Sequence, residues 1–237
     1  MFPFFFLSFY LMAETTDVLF IQEQVEVEIL NNLVETTTRD IYFNKRSVRI
    51  NELDQDLSYI IWINQSWMIV LDHKTQSFSH GEIRHDRNLV KLMLKGLGYY
   101  VDGKIQRRAG TLSPTGLKRK ISEWQCQEFK LNYPSSFGVA TEVWCTSEKT
   151  ILSKNDMQDL WYAMLGNTQP QDVNVVVTQF FRDIPGIPIQ FVTKVDQQDA
   201  AVTLTSRIIA IEIRQMKNND LFEIPNNYRV NLEGNAP

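Results

Sequence analysis

Two cysteines, Cys126 and Cys145, are the residues of this chain whose type and spacing point most directly to a covalent bond, and the bond is a disulfide. The runs Ile121 to Tyr133 and Gly138 to Ser147 are rich in β-formers and flank Pro134, Ser135, Ser136 and Phe137, a turn-type cluster. They read as the arms of one hairpin. With the tip between Ser135 and Ser136, opposed residues have numbers that sum to 271, as 126 and 145 do. A directly opposed, non-hydrogen-bonded antiparallel pair brings Cβ atoms within disulfide reach. The same register pairs Gln127 with Trp144 and Phe129 with Glu142, puts Phe129 and Trp144 on one face, and leaves the bridge with Trp124 and Val143 on the other. A cross-strand bridge implies an oxidising compartment. The alternative is a pair of buried free thiols behaving as small hydrophobes in a slipped register.

The other reactive residue types fall into patterns that carry no reaction. His73, His80 and His85 lie close in sequence, but His80 and His85 are five apart rather than at the i, i+4 spacing of one helical face, and no third ligand set accompanies them. Asp72 beside His73 reads as a turn pair, because no serine or cysteine nucleophile motif goes with it. Gly96, Gly98, Gly103 and Gly110 do not match a dinucleotide or phosphate loop. The cysteines are too far apart for a redox Cys-x-x-Cys. Glu26 and Glu28 share one strand face, where alternation makes them the solvated side of a sheet. The expectation is a protein that is not an enzyme, with no catalytic residues, no metal and no cofactor.

The elements that position these residues are mostly strands. Val25, Val27 and Ile29 alternate with Glu26 and Glu28, and two β-type runs between Thr36 and Arg49 break at Asn44 and Lys45. Tyr59 to Ile63 and Trp67 to Leu71 flank Asn64, Gln65 and Ser66, and a tight loop there pairs Trp62 with Trp67 and Ile60 with Ile69. Asp72 to Phe78 reads as a turn into a short strand. A first helix is expected from the spacing of Ile83, Val90, Met93, Leu94 and Leu97, and a second from a cap at Ser153 or Asn155 through Met157, Leu160, Trp161, Met164 and Leu165 to Gly166. Val173 to Phe181, Ile187 to Val195 and Ala201 to Ile213 then read as strands. The fold class is mainly β (α+β), a strongly curved antiparallel sheet or half-barrel covered by two or more helices.

At 237 residues, with 43% hydrophobic residues and 14 phenylalanines, the chain has enough apolar side chains for a sizeable core. No linker, repeat or low-complexity tract divides it, so residues 14–237 are expected to form one domain. Residues 1–13 resemble the hydrophobic region and cleavage end of a secretory signal: Phe2 to Met12 is almost wholly apolar, ends at Ala13, and precedes polar Glu14 to Asp17. The run is too short to span a bilayer. A formal net charge of −4 gives no overall attraction for nucleic acid. The basic stretch of Lys104, Arg107, Arg108, Lys118, Arg119 and Lys120 reads as a charged hairpin edge, since no aromatic residues interleave to stack bases.

The C-terminal third carries Ile184-Pro185-Gly186-Ile187-Pro188-Ile189, then a long strand pair, then Asn219-Asp220-Leu221-Phe222-Glu223-Ile224-Pro225 and Tyr228. This order resembles the close of the domain-of-unknown-function 4412 family, with its Gly-aliphatic-Pro strand start and Leu-Phe-x-x-Pro-x-x-Tyr ending. Upstream, Ile41-Tyr42-Phe43-Asn44, Leu71-Asp72-His73-Lys74-Thr75, and Cys126 with Trp144 occupy fitting places, so the resemblance extends from about Val18 to Val230. That family is similar to the lipoprotein carriers of the LolA and LolB type. The resemblance implies a LolA-like half-barrel in the periplasm or cell envelope of a bacterium and a lipid or acyl chain as ligand. With the surplus of aromatic sheet residues, it gives a candidate groove lining of Trp62, Trp67, Phe129, Trp144 and Phe191 from strands and Met93, Leu97, Trp161 and Met164 from helices. The alternative is an envelope module with a solid core that recruits a protein partner; the oligomeric state is left open. If the N-terminal run is a secretory signal, intact mass of protein from the cell envelope shows a mature chain beginning close to Glu14, and a chain that retains Met1 to Ala13 refutes it.

Overall fold

A computed structural model describes residues 15–30, 32–62, 67–82, 100–101, 104–105, 112–135, 138–165, 184–196, 201–217 and 219–231. The chain opens with two long strands, β1 (Thr15–Ile29) and β2 (Asn32–Phe43), and continues as a meander of β3 (Ser47–Glu52), β4 (Leu57–Trp62), β5 (Trp67–Asp72) and β6 (Ser77–Glu82). A two-residue pair, β7 (Tyr100–Val101) and β8 (Lys104–Ile105), stands apart as its own small sheet. Then come β9 (Ser113–Ile121), β10 (Trp124–Ser135), β11 (Gly138–Ser147), the helix α1 (Lys154–Leu165), β12 (Ile187–Asp196), β13 (Ala201–Lys217), a 3-10 turn (Asn219–Phe222) and β14 (Arg229–Val230). Among the described residues twelve strands make one open sheet, in the order β14-β6-β5-β4-β3-β2-β1-β13-β12-β11-β10-β9. Every pairing is antiparallel except β14 on β6.

The hairpin turns follow from local chemistry. Asn44 accepts the backbone N–H groups of Arg46 and Ser47 at its side-chain oxygen, at 3.1 and 2.8 Å, and Lys45 takes the left-handed conformation between them. The carboxylate of Asp72 accepts from the N–H groups of Lys74 and Thr75, at 2.9 and 3.0 Å, which holds the β5–β6 turn and lowers its pKa below the usual carboxylate value. Trp62 faces Trp67 and Ile60 faces Ile69 across β4 and β5. At Gly186 φ is +77°, and a Cβ would meet the carbonyl oxygen of Ser147 at 2.7 Å, so this turn requires glycine.

The β1–β6 half of the sheet carries a buried cluster on each face. On the inner face Ile21, Ile41, Ile50, Phe43, Val48 and Ile61 join Met157 and Leu160 of α1, which crosses the strands and packs on β3 and β4. On the outer face Val18, Ile60, Ile69 and Leu71 are covered by the C-terminal segment, through Leu221, Phe222, Ile224 and Tyr228. This is why the runs at Tyr59 to Trp62 and Met68 to Leu71 are continuously apolar rather than alternating. The fold expectation of a sheet covered by two or more helices is therefore corrected. Among the described residues α1 is the α-helix present, and the cover it does not supply comes from irregular chain. The helix expected around Ile83 to Leu97 and the strand expected over Val173 to Phe181 lie outside the described residues.

Of the two caps the sequence allows, Ser153 and Asn155, Ser153 is the one used: its hydroxyl oxygen accepts from the Asp156 N–H at 3.1 Å while the Asp156 carboxylate accepts from the Ser153 N–H at 3.3 Å. The Lys154 ammonium donates to the carbonyl of Ile184 at 2.5 Å and ties the start of the helix to the entry of β12.

Cys126 and Cys145 form a disulfide, with Cα atoms 5.4 Å apart. The hairpin register around it differs from the expected one. The ladder runs on until Ser135 faces Gly138, so Phe129 faces Trp144, and Glu128 rather than Cys126 faces Cys145. The bridge is diagonal. β10 extends through Pro134 because β9 stops opposite Lys130, at Ser113, and leaves no described neighbour that needs the missing N–H. A slip that moves each partner by two residues keeps every side chain on its face, so the sulfurs still meet. Near the bridge the buried set changes phase, from Trp124, Cys126 and Glu128 to Phe129 and Leu131, at a register shift against β9. Replacing both cysteines with alanine is expected to lower stability in urea by about 3 kcal/mol, less whatever hairpin structure persists in the unfolded chain. The bridge itself is checked by intact mass: the unfolded, unreduced protein takes up no alkylating reagent, and labelling of two thiols refutes it.

Candidate functional site

The inner face carries a small cavity between α1 and the sheet, about 90 Å³ in volume. Its apolar walls come from Ile21 of β1, Ile41 of β2, Ile189 and Phe191 of β12, Ile208 of β13, and Met157 and Leu160 of α1. Strand alternation and the i, i+3 spacing of the helix bring these residues to one place. Three polar residues join them: Glu23, Gln190 and Ser206. The β1–β13 register shifts between Gln22 and Glu23, which sets Glu23 opposite Ile208. Ser206 donates its hydroxyl proton to Glu23 Oε1 at 2.5 Å. A wider groove of about 390 Å³ lies beside the disulfide, with Trp124, Phe129 and Pro185 among charged and polar residues of both signs, including Lys118, Glu123, Glu148 and Lys149.

The residues singled out for a groove are spread over several places. Phe191 lines the cavity and stacks on Trp144, ring centroids 5.0 Å apart. Trp144 is buried beside it, and its indole N–H donates to the buried carboxylate of Glu142 at 2.8 Å. Phe129, opposite Trp144, lines the wider groove. Trp62 packs with the outer-face cluster under the C-terminal segment, away from the cavity. Trp67 falls in β5 opposite Trp62, and Trp161 and Met164 fall in α1. Met93 and Leu97 lie outside the described residues. The cavity walls are mainly aliphatic, and the signal that could have found them is the run of isoleucines at facing positions, Ile211, Ile21, Ile41 and Ile50.

On the outer face, His73 sits in a polar cluster beneath the C-terminal segment. Ser58, fully buried, donates to Asn51 Oδ1 at 2.8 Å and lies 2.5 Å from His73 Nε2. The hydroxyl proton is committed to Asn51, so Nε2 carries the imidazole proton and Nδ1 accepts from the hydroxyl of Tyr228. Serine and histidine here are thus not arranged as nucleophile and base, which would need the proton to run the other way. Arg49 donates to Asn51 Oδ1 and to the carbonyl of Leu221, both at 2.8 Å. Burial lowers the pKa of Arg49 from its ordinary value. Burial first, and then the Arg49 charge, lower that of His73, against weaker opposing effects of Asp56 and Asp72. Two of the motifs noted in the sequence, Asp72-His73 and the ending at Tyr228, meet at this cluster. His80 lies on β6 near Phe78, and His85 is outside the described residues.

No family model matches this chain, and no curated protein matches it. The resemblance to the domain-of-unknown-function 4412 family thus has no family-model match behind it. Among solved structures, the chain is similar to an uncharacterised conserved protein from Thermus thermophilus, with 11% identity over 91% of this chain and 89% of that one and a TM-score of 0.42. It is also similar to a LolA superfamily protein from Nitrosomonas europaea, with 6% identity over 90% of this chain and 91% of that one and a TM-score of 0.33. At these scores neither likeness carries an argument about fold or function.

The His73 cluster has a pH signature. Because the folded pKa lies below the unfolded value of 6.5, the unfolded chain takes up the proton first as pH falls. The contribution of His73 is whole above pH 6.5 and is lost as pH drops from there through the lower folded value. Urea midpoints of the native chain should fall across that window, and those of His73→Asn should fall less. Equal losses in both proteins would refute the assignment.

Proposed function

We propose that this chain is an exported, non-catalytic protein of the bacterial cell envelope that holds an apolar chain between the inner face of its sheet and α1. The observation that carries the reading is the apolar cavity under Met157 and Leu160. The Cys126–Cys145 disulfide supports an oxidising compartment, and the resemblance noted in the sequence supports the envelope. Among the described residues no helix is long and apolar enough to cross a membrane. At about 90 Å³ the cavity is smaller than the roughly 150 Å³ apolar cavity that admits benzene. It fits part of one slender chain, and a longer ligand requires α1 to lift from β3 and β4.

The same small volume favours a second reading, a module with a filled core that recruits an envelope protein. Mass spectrometry after native extraction separates the two. A lipid or other single-chain amphiphile that co-purifies in stoichiometric amount supports the first. An empty protein that takes up no alkyl probe refutes it, and a protein partner captured by crosslinking in the envelope then favours the second.

A further inference from the structure

The β1–β2 hairpin continues past the last β3 pair, Arg39 with Glu52, out to Ile29 and Asn32, so it projects roughly 20 Å beyond β3. Its tip is tied to that of the β12–β13 hairpin, where the Leu30 N–H donates to the carbonyl of Ala201 at 2.8 Å and Ile29 faces Val202. The joined tips hold aliphatic side chains in water: Leu30 is 56% exposed, Val34 60%, Ile29 41% and Val202 37%. Leucine is also ill-suited to the backbone there. At φ +53° Leu30 takes the left-handed conformation that suits glycine or asparagine in a turn, and the other described non-glycine residues at positive φ, Lys45, Asp56, Gln76 and Ser122, are polar. An exposed leucine at this position serves neither folding nor solubility, and backbone strain of this kind collects where a residue is used for binding.

We propose that the joined tips insert into the surface of an electrically neutral lipid bilayer. Exposed apolar patches mark contact with protein or with membrane. A protein-binding patch relies on aromatic or arginine anchors and on roughly 800 Å² per partner. Ile29, Leu30, Val34 and Val202 supply no such anchor, and four partly exposed aliphatic side chains are too few for that area. A lipid interface takes them without a shaped socket. The charged residues on the described ends of these strands are Glu28, Glu35, Lys194 and Asp196, an acidic balance that gives no attraction to an anionic surface. A zwitterionic headgroup layer is indifferent to it. The contact stands apart from the ligand reading, since docking by the tips needs no occupant in the cavity under α1.

The test is flotation of the full, disulfide-bonded chain with phosphatidylcholine vesicles at millimolar lipid. The native chain is expected to float with them, and neither added phosphatidylglycerol nor lower salt is expected to strengthen binding. Leu30→Asn, which suits the left-handed turn, is expected to weaken the partition about tenfold, and Val34→Thr about threefold, with melting temperatures checking that both variants fold. Ile213→Thr, at an exposed isoleucine of β13 far from the tips, is expected to leave it unchanged. A native chain that stays in the soluble fraction overturns the proposal, and so does Leu30→Asn floating like the native chain, Ile213→Thr losing as much, or binding that requires phosphatidylglycerol. A dimer in gel filtration that Leu30→Asn abolishes, without flotation, overturns it in favour of a second copy of the chain. Flotation of a protein that takes up no alkyl probe upholds the docking and refutes the ligand reading; uptake of the probe without flotation does the reverse.

Discussion

The ladder between β1 and β13 is the pairing on which the rest of this molecule depends. Thr15 to Ile29 lies against Val202 to Lys217, so residues nearly two hundred positions apart are joined along the longest strands of the sheet. On one side of that seam hang β2 to β6, each a neighbour of the last in sequence; on the other hang β12 to β9, where β9, β10 and β11 follow one another directly and the segment that carries α1 lies between β11 and β12. Local pairings are cheap in loop entropy, whereas the seam must close most of the chain before its contacts form. The cavity also belongs to the seam, since Ile21, Glu23, Ser206 and Ile208 all come from it.

The two faces of the β1–β6 half are finished by different means. A helix covers the inner face, and on the outer face the chain's own ending is pinned at several points. Arg49 holds the carbonyl of Leu221, Tyr228 reaches His73, and Arg229 and Asn231 donate backbone N–H groups to Gln76 and Phe78. Arg214 adds its guanidinium over the ring of Phe20, 3.3 Å from the centroid. The short motifs in the ending, Leu221-Phe222 and Tyr228, thus fill and fasten an outer core.

Local features were legible in the sequence to within a residue or two. The Trp62–Trp67 and Ile60–Ile69 pairs, the Ser153 cap and the Asp72 turn all follow from chemistry within a few positions. The disulfide was legible although its register was not, because sheet parity survives a slip of two while direct opposition does not. The choice of aromatic residues for a groove had less basis. Aromatic side chains fill core on either face, and the cover over the face that Trp62 shares with Ile60 comes from the remote C-terminal segment. Glu23 and Ser206 meet only through long-range pairing and a register shift, and no local pattern announces either.

Among the described residues, the two borders of the open sheet are guarded by different means. At one border β14 lies on β6 and occupies its backbone hydrogen-bonding groups at Gln76 and Phe78. At the other, β9 offers a poor template. Pro114 removes a donor, Gly116 bends the strand at φ +80°, the pairing with β10 skips between Gln127 and Phe129, and Lys118, Arg119 and Lys120 line the exposed end. Arg119 also reaches in to pair with the buried Glu128 at 2.6 Å, so one of those charges is anchored as well as exposed. A wide sheet is a template for edge-to-edge pairing; a tail over the start of β6 on one side and a kinked, cationic strand on the other disfavour such pairing.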